Sequence, residues 1–426
     1  MKILVVGGGG REHAIIRKLR ENPEAAEIYA LPGNAGIAED AKCVNIRATD
    51  IDGIVRFAVE HAIDFAVVAP DDPLAMGAVD ALHAEGIACF GPDAKAAKIE
   101  SSKAFAKELM QKYGIPTARF RVFGDAQPAL DYVREAECPI VVKADGLALG
   151  KGVRICRTNA EAEDAVRAMM LEGAFGASGA TVVVEEYLEG PEVSVLAFTD
   201  GHVVRPMVSS MDHKRANDGD EGLNTGGMGT IAPNPFYTPE VASRCMKEIF
   251  EPTVRAMRAE GRPFKGCLYF GLMITRDGPK VIEYNCRFGD PETQVVLPLL
   301  KSDLLDIMRA VEGERLSEVP VEFSDQAACC VMLASGGYPE KYEKGKVIEL
   351  GRAPQMAEVY HSGTARDAEG RLVTAGGRVL GVCCVRDALR EAVGAAYIAA
   401  AQVRFEGMHM RTDIGARALA ADGMEE

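Results

Sequence analysis

Lys2-Ile3-Leu4-Val5-Val6-Gly7-Gly8-Gly9-Gly10-Arg11-Glu12-His13 decides the fold class. A strand-sized apolar run ends in four glycines, and the segment Glu12–Arg20 then carries Ile15, Ile16 and Leu19 at helical spacing. Strand, glycine turn and helix in that order open a βαβ unit. Outward from it, Glu27–Leu31 and Phe65–Ala69 read as further strands, Pro73–Ala84 as a helix, and Cys89-Phe90-Gly91-Pro92 as a strand closed by a turn. The expectation is an α/β chain that starts with a doubly wound parallel sheet, with its ligand at the carboxyl ends of the strands.

Glycines let a ligand approach the backbone, and a helix N-terminus favours an anion. A dinucleotide fingerprint would need a third glycine where Glu12 stands. It would also need an acid after the second strand, which instead runs into Leu31-Pro32-Gly33-Asn34. A phosphate or phosphosugar therefore ranks above a nicotinamide or flavin. Pro32-Gly33-Asn34-Ala35-Gly36 would form the other wall of that site.

From Ser101 the texture changes. Ser102–Lys112 reads as a helix with Ser102 at its N-cap. Ile140–Lys143 and Thr181–Glu186 read as strands, with a glycine loop and the helix Ala160–Leu171 between them. Longer strands follow at Val193–Thr199, Cys267–Thr275 and Lys280–Asn285, with a helix at Glu240–Glu260. From about Asp325 a third unit brings strands at Ala327–Leu333, Lys346–Leu350 and Arg378–Val385, then a helix over Asp387–Val403. The joints are placed near residues 102 and 325.

Lys143-Ala144-Asp145-Gly146-Leu147-Ala148-Leu149-Gly150-Lys151-Gly152-Val153 is the most informative window for chemistry. Lys143 ends a strand, and the glycines with Lys151 form a loop able to fold over a triphosphate. Gly152 occupies the Ser/Thr position of a Walker A loop, so that motif is excluded. The edge of Val182–Leu188 offers backbone groups that can read an adenine, and Glu192 can take ribose hydroxyls. Farther on, Glu283 and Asn285 alternate on one strand and share a face. Mg²⁺ takes such oxygen ligands together with substrate phosphates. Arg287 follows on the same face as a clamp for a carboxylate or phosphate. A third cluster combines Asp212-His213-Lys214-Arg215 with the turn Asn224-Thr225-Gly226-Gly227-Met228-Gly229. The plain alternatives are a mobile hairpin, surface ion pairs and a solvated charge run; the order and spacing of the segments favour a ligand site.

The 426 residues suggest two to four domains. Lys and Arg total 48 against 63 Asp and Glu, a net charge of -15, which disfavours nucleic acid as a partner. No apolar run is long enough to span a membrane, and no secretory leader is expected. The 11 cysteines include the adjacent pairs Cys329-Cys330 and Cys383-Cys384 but no CxxC, and are expected to be buried, reduced thiols. The seven histidines form no zinc pattern.

These segments resemble the phosphoribosylamine–glycine ligase (glycinamide ribonucleotide synthetase) family of ATP-grasp enzymes, nearly end to end. The marks are residues 9–14, 32–36, 90–92, 102–103, the Lys143–Val153 loop, 212–215, 224–229 and Glu-Tyr-Asn-Cys-Arg-Phe-Gly-Asp-Pro-Glu-Thr-Gln at 283–294. Pro70-Asp71-Asp72-Pro73-Leu74, Leu149 and Leu223 depart from the family pattern, and Met273 stands where many ATP-grasp enzymes have a second metal carboxylate. None of these departures removes a phosphate, metal or nucleotide group.

The resemblance implies an N-terminal phosphosugar-binding domain (1–102), an ATP-grasp domain (103–325) with a mobile lid near 121–190, and a small C-terminal α/β domain (326–426). It implies ligation of glycine to 5-phosphoribosylamine, driven by ATP with Mg²⁺ or Mn²⁺, in de novo purine biosynthesis. Lys103, Lys143, Gly150, Lys151 and Gly152 would hold ATP phosphates, Glu185, Glu186 and Leu188 the adenine, and Glu192 the ribose. Glu283 and Asn285 would hold the metal. Gly8, Gly9, Gly10, Arg11, Asn34, Asp212, Lys214, Asn224, Thr225, Gly226, Gly227, Met228, Arg287 and Asp290 would bind the remaining substrates, with Lys143, Arg287 and Asp212 catalytic. A cytoplasmic monomer is expected, acting through glycyl phosphate with no covalent enzyme nucleophile. The rival readings are an ATP-grasp ligase with another acceptor, a nucleotide sensor without catalysis, and a dehydrogenase.

Overall fold

The computed structural model describes residues 1–148 and 152–422. The initial apolar run forms strand Lys2–Gly7 at the centre of a five-stranded parallel sheet. Glu27–Pro32 and Lys42–Cys43 lie on one side of it, Phe65–Val68 and Ala88–Phe90 on the other. Ile3, Leu4, Val5 and Val6 are fully buried because both faces are covered. Alternation sends Leu4 and Val6 into one core with Ile54 and Leu82, and Ile3 and Val5 into another with Ile15 and Leu19. Strand order reverses between Lys2–Gly7 and Phe65–Val68, which places a crevice at their carboxyl ends.

The single helix expected over Pro73–Ala84 is two, Asp71–Ala75 and Ala78–Ala84, because Gly77 between them turns with φ +84°. Ser102 does cap the next long helix, Lys103–Tyr113, accepting from the Phe105 N–H at 3.1 Å. An unforeseen helix, Ala94–Ser101, runs directly into it.

Two four-stranded antiparallel sheets follow. Phe120–Phe123, Val182–Glu186, Ile140–Ala144 and Val153–Cys156 form the first, in that order. Helices Ala126–Glu135 and Asn159–Val166 cover it, and Leu130, Val133, Val142, Val166 and Val184 make it a core of its own. The second sheet pairs Glu192–Asp200 with Lys265–Thr275, flanked by Val204–Pro206 and Gly278–Asn285. This sheet is the floor of the site and shares its cores with the N-terminal sheet through Val195, Phe198 and Phe270. The helical stretch expected at Glu240–Glu260 spans Pro239–Ala259 but widens to a π turn at Met246–Phe250, just before Pro252, which has no N–H to give.

Strands Met211–Asp212 and Gly229–Ala232, from the middle of the chain, join the C-terminal sheet of Ala327–Ser335, Arg378–Arg386 and Glu358–His361. Segment 212–229 is thereby held between that sheet and the floor. Lys346–Leu350 is not a strand: it makes only isolated bridges, Val347 to Val373 and Glu349 to Arg404, with two different partners. All 11 cysteines are unpaired.

Candidate active site

A cleft of about 1080 Å³ lies between the first antiparallel sheet, the floor strands, helix Lys103–Tyr113 and segment 211–226. Its walls include Lys103, Lys143, Gly152, Glu185, Glu186, Leu188, Glu192, Asp212, Lys214, Asn224, Thr225, Gly226, Glu283, Asn285, Arg287, Asp290 and Arg11. Residues far apart in sequence thus converge on one space. Gly150 and Lys151 lie outside the described residues.

Lys143 stands on Ile140–Ala144 and is 5% exposed at its side chain. The floor strand bulges where Gly271 pairs with Glu283 and Leu272 with Val281, leaving Ile282 out of the ladder. The Ile282 carbonyl accepts from Lys143 Nζ at 3.1 Å. Glu185 sits between two ammonium groups, 3.0 Å from Lys143 and 2.9 Å from Lys107. Lys103 donates to the Gly146 carbonyl at 2.9 Å, and Asp145 accepts from the Ala104 N–H at 2.7 Å, so the glycine-loop segment begins anchored to a helix N-terminus. Burial holds Lys103 below the usual lysine range and pushes Lys107 down to about 8, outweighing the Glu185 carboxylate beside it.

On the floor strand, burial alone would raise Glu283. The charges of Lys214, Lys143, Lys103 and Arg287 outweigh it and hold the group below its ordinary value, as a carboxylate. Asn285 Oδ1 accepts from Arg287 Nη2 at 3.3 Å. Both donors are hard oxygens on one strand. Among the described residues no three His, Cys, Asp or Glu side chains gather as a protein-only metal cage. This donor set fits a divalent ion that completes its shell with substrate phosphates.

Arg287 is locked by Glu100 at 3.0 Å, while Glu100 also accepts from the Cys286 N–H at 2.7 Å. Arg287 Nε is buried without a partner among the described residues. Asp212 Oδ1 is likewise buried and unpartnered, and burial, then the charge of Glu292, raises the Asp212 carboxyl well above its usual range. Lys214 pairs with Glu192 at 3.2 Å and Glu283 at 3.6 Å, and the Glu192 charge raises it well above the usual lysine range. Arg378 donates to the carbonyls of Gly226 and Asp290, both at 2.6 Å, and so ties the glycine turn to the loop after the floor strand.

Gly8, Gly9, Gly10, Asn34, Gly227 and Met228 do not line this cleft. A Cβ on Gly8 would lie 2.4 Å from the Gly33 carbonyl, and one on Gly10 2.5 Å from Gln294 Nε2, so these glycines allow close packing of neighbouring loops. Asn34 spends its amide on the carbonyls of Gly8 and His361 and its oxygen on the N–H groups of Gly36 and Ile37. Met228 is fully buried. Val182–Glu186 is not an edge as expected: it pairs with Phe120–Phe123 on one side and Ile140–Ala144 on the other, so its ladder positions are spent and only Tyr187 and Leu188 lie beyond the strand. The Glu186 side chain is held by Arg119 at 2.6 Å. Sequence reasoning missed Glu100, Lys107, Tyr269, Glu292 and Arg378. Of these, Lys107 carried a signal: it follows Lys103 by one helical turn and shares its face.

A phosphoribosylamine–glycine ligase of Vibrio vulnificus is 48% identical over 99% of both chains. The chain belongs to the phosphoribosylglycinamide synthetase family. The family's N domain matches residues 1–100, its ATP-grasp (A) domain 101–293 and its C domain 328–417. A phosphoribosylamine–glycine ligase of Xanthomonas campestris is 49% identical, again over 99% of each chain. The crystal structure of the Thermotoga maritima ligase superposes with a TM-score of 0.86 at 33% identity, covering 97% of this chain and 100% of that one. A biotin carboxylase domain from Hydrogenobacter thermophilus shares the fold at 19% identity, with a TM-score of 0.73, over 96% of this chain and 91% of its own. The central family domain is therefore an ATP-grasp domain, between the N-terminal parallel sheet and the C domain.

Proposed function

We propose that the protein joins glycine to 5-phosphoribosylamine with ATP, giving glycinamide ribonucleotide, ADP and phosphate, as a step of purine biosynthesis. The observation that carries this reading is the convergence of Lys103, Lys143, Glu283, Asn285 and Arg287 on one cleft in a chain of this family. Lys103 and Lys143 hold the ATP phosphates with Gly150, Lys151 and Gly152. The backbone at the end of the strand, at Tyr187 and Leu188 just past the paired residues Glu185 and Glu186, reads the adenine, and Glu192 takes the ribose. Glu283 and Asn285 would hold Mg²⁺ or Mn²⁺, which would neutralise phosphate charge. Arg287 and Asp212 flank the glycine, and the unpaired Arg287 Nε is a donor for its carboxylate. Arg11, Lys214, Asn224, Thr225, Gly226 and Asp290 face the phosphosugar, with Gly8–Gly10, Asn34, Gly227 and Met228 shaping the walls behind them.

The glycine carboxylate attacks the γ-phosphate and ADP departs, leaving glycyl phosphate. The amine of phosphoribosylamine then attacks the activated carbonyl and phosphate leaves. The protein supplies alignment and charge, and oriented groups can lower a barrier by roughly 7–11 kcal/mol. Closure of the segment after Lys143 keeps water from the acyl phosphate. We place the domain joints near 102 and 325 and the lid at about 121–190, supported by the separate core of the first antiparallel sheet. We further propose a cytoplasmic monomer acting on small molecules; among the described residues no helix is long and apolar enough to cross a membrane. Positional isotope exchange tests the intermediate: bridge-to-nonbridge scrambling in labelled ATP is expected when glycine is present, and its absence under reversible conditions contradicts glycyl phosphate.

A further inference from the structure

We infer that Lys107 is a positioning residue for nucleotide binding: it occupies one oxygen of Glu185 and so leaves Lys143 a net positive charge for the triphosphate. The inference rests on the reading that Lys143 holds ATP phosphates.

Glu185 is 4% exposed, and its two oxygens face one ammonium each, Oε2 toward Lys107 and Oε1 toward Lys143. One carboxylate between two buried lysines leaves the trio with one excess positive charge. Such a charge, shielded from water and at the wall of a large cleft, is matched by an anion. Without Lys107, Glu185 and Lys143 cancel, and the ammonium that should meet a phosphate is drawn into a closed pair.

Lys107 is built to hold that station. Its ammonium donates to Thr117 Oγ1 at 2.7 Å, and the Thr117 hydroxyl donates in turn to the Val281 carbonyl at 2.7 Å. It also lies 5.6 Å from the centre of the Phe120 ring. Lys143 hangs from the very next carbonyl, Ile282, which the strand bulge frees. Two lysines from different elements, a body helix and a lid strand, are thus suspended from consecutive peptide groups of the floor, with Glu185 wedged between them. Lys107 itself does not need to touch the nucleotide.

The test uses the full-length protein and four variants: Lys107→Met, Lys107→Arg, Lys107→Met with Glu185→Gln, and Lys143→Ala. Steady-state ADP release with 5-phosphoribosylamine present gives separate KM values for ATP and glycine, and thermal melting checks folding. Lys107→Met is expected to raise the KM for ATP about 10-fold or more while the KM for glycine stays within about twofold, since only a charged phosphate contact is weakened. Lys107→Arg keeps the charge and is expected within about threefold of wild type. Removing the Glu185 charge as well is expected to recover most of the lost ATP affinity, because Lys143 is again uncompensated; a packing role for Lys107 predicts no such recovery. If Lys107→Met does not fold, Lys107→Gln replaces it with the same expected split. An unchanged KM for ATP in the neutral variant, or a double variant no better than the single, overturns the inference. If wild type releases no ADP with glycine and 5-phosphoribosylamine both present, or Lys143→Ala is unimpaired, the underlying nucleotide reading fails instead.

Discussion

Lys143 Nζ donates to the carbonyl of Ile282 across 3.1 Å, joining the end of strand Ile140–Ala144 to the floor of the cleft. The lysine is thus aimed by a strand bulge, next to Glu283. Lys143→Ala is expected to lower kcat/KM by about 10²–10³-fold, the scale of losing one preorganised electrostatic contact. The fold should survive, because Glu185 keeps Lys107 as a partner. Steady-state kinetics with circular dichroism checks both halves of this expectation.

Glu283 is the carboxylate on which Lys214, Lys143 and Lys103 converge. Glu283→Ala is expected to remove most turnover and to raise the concentration of Mg²⁺ or Mn²⁺ needed for the remainder, since one of the two proposed protein oxygen donors is gone. Titrating metal at saturating ATP checks this. A folded variant with wild-type turnover contradicts the metal assignment.

Gly227 adopts φ +112°, and a Cβ there would stand 2.5 Å from both Asp212 Oδ1 and Pro291 Cδ. Gly227→Ala is expected to cost about 1–3 kcal/mol of stability through backbone strain alone and to displace Asp212, lowering turnover. Gly219 has φ +70° with nothing near its Cβ position, so Gly219→Ala should be milder on both counts. Urea unfolding beside kcat for the two variants separates local strain from damage to the site.

The chain displays in sequence whatever depends on near neighbours. The strand and helix around Gly7–Gly10 were legible from periodicity, and Glu283 with Asn285 from alternation. The Glu185–Lys107 pair was not, because it forms only when strand Val182–Glu186 packs on helix Lys103–Tyr113. Gly229–Ala232 gave no sign of its partner, which is a strand of the C-terminal sheet. Lys346–Leu350 has a strand-like composition, yet it finds no continuous neighbour to pair with. Gly77 inside an apparently helical run marked the break that local periodicity concealed.

His13 and His361 link the first and last units. The backbone N–H of His361 donates to His13 Nδ1 at 2.9 Å, and His13 Nε2 faces Asp40 at 3.1 Å. Burial lowers both histidines, His361 to about 3. The unfolded chain takes up these protons near pH 6.5 and the native state does not. Stability is therefore fully present above pH 6.5 and declines as pH falls toward the native values, by up to about 1.4 kcal/mol per pH unit per histidine. Urea unfolding at pH 7.5 and 5.5 is expected to show this loss, reduced in His361→Gln. Equal stability at the two pH values contradicts neutral burial.

In the proposed reaction this cleft energises glycine's carboxylate with ATP and delivers it to a sugar-borne amine. The most direct measurement is ADP release by the purified protein with ATP, Mg²⁺ and glycine, with and without 5-phosphoribosylamine. Sustained ADP release that requires both glycine and phosphoribosylamine, with equimolar glycinamide ribonucleotide, is the expected result. ADP release indifferent to both, or none at all from a folded protein, would contradict it.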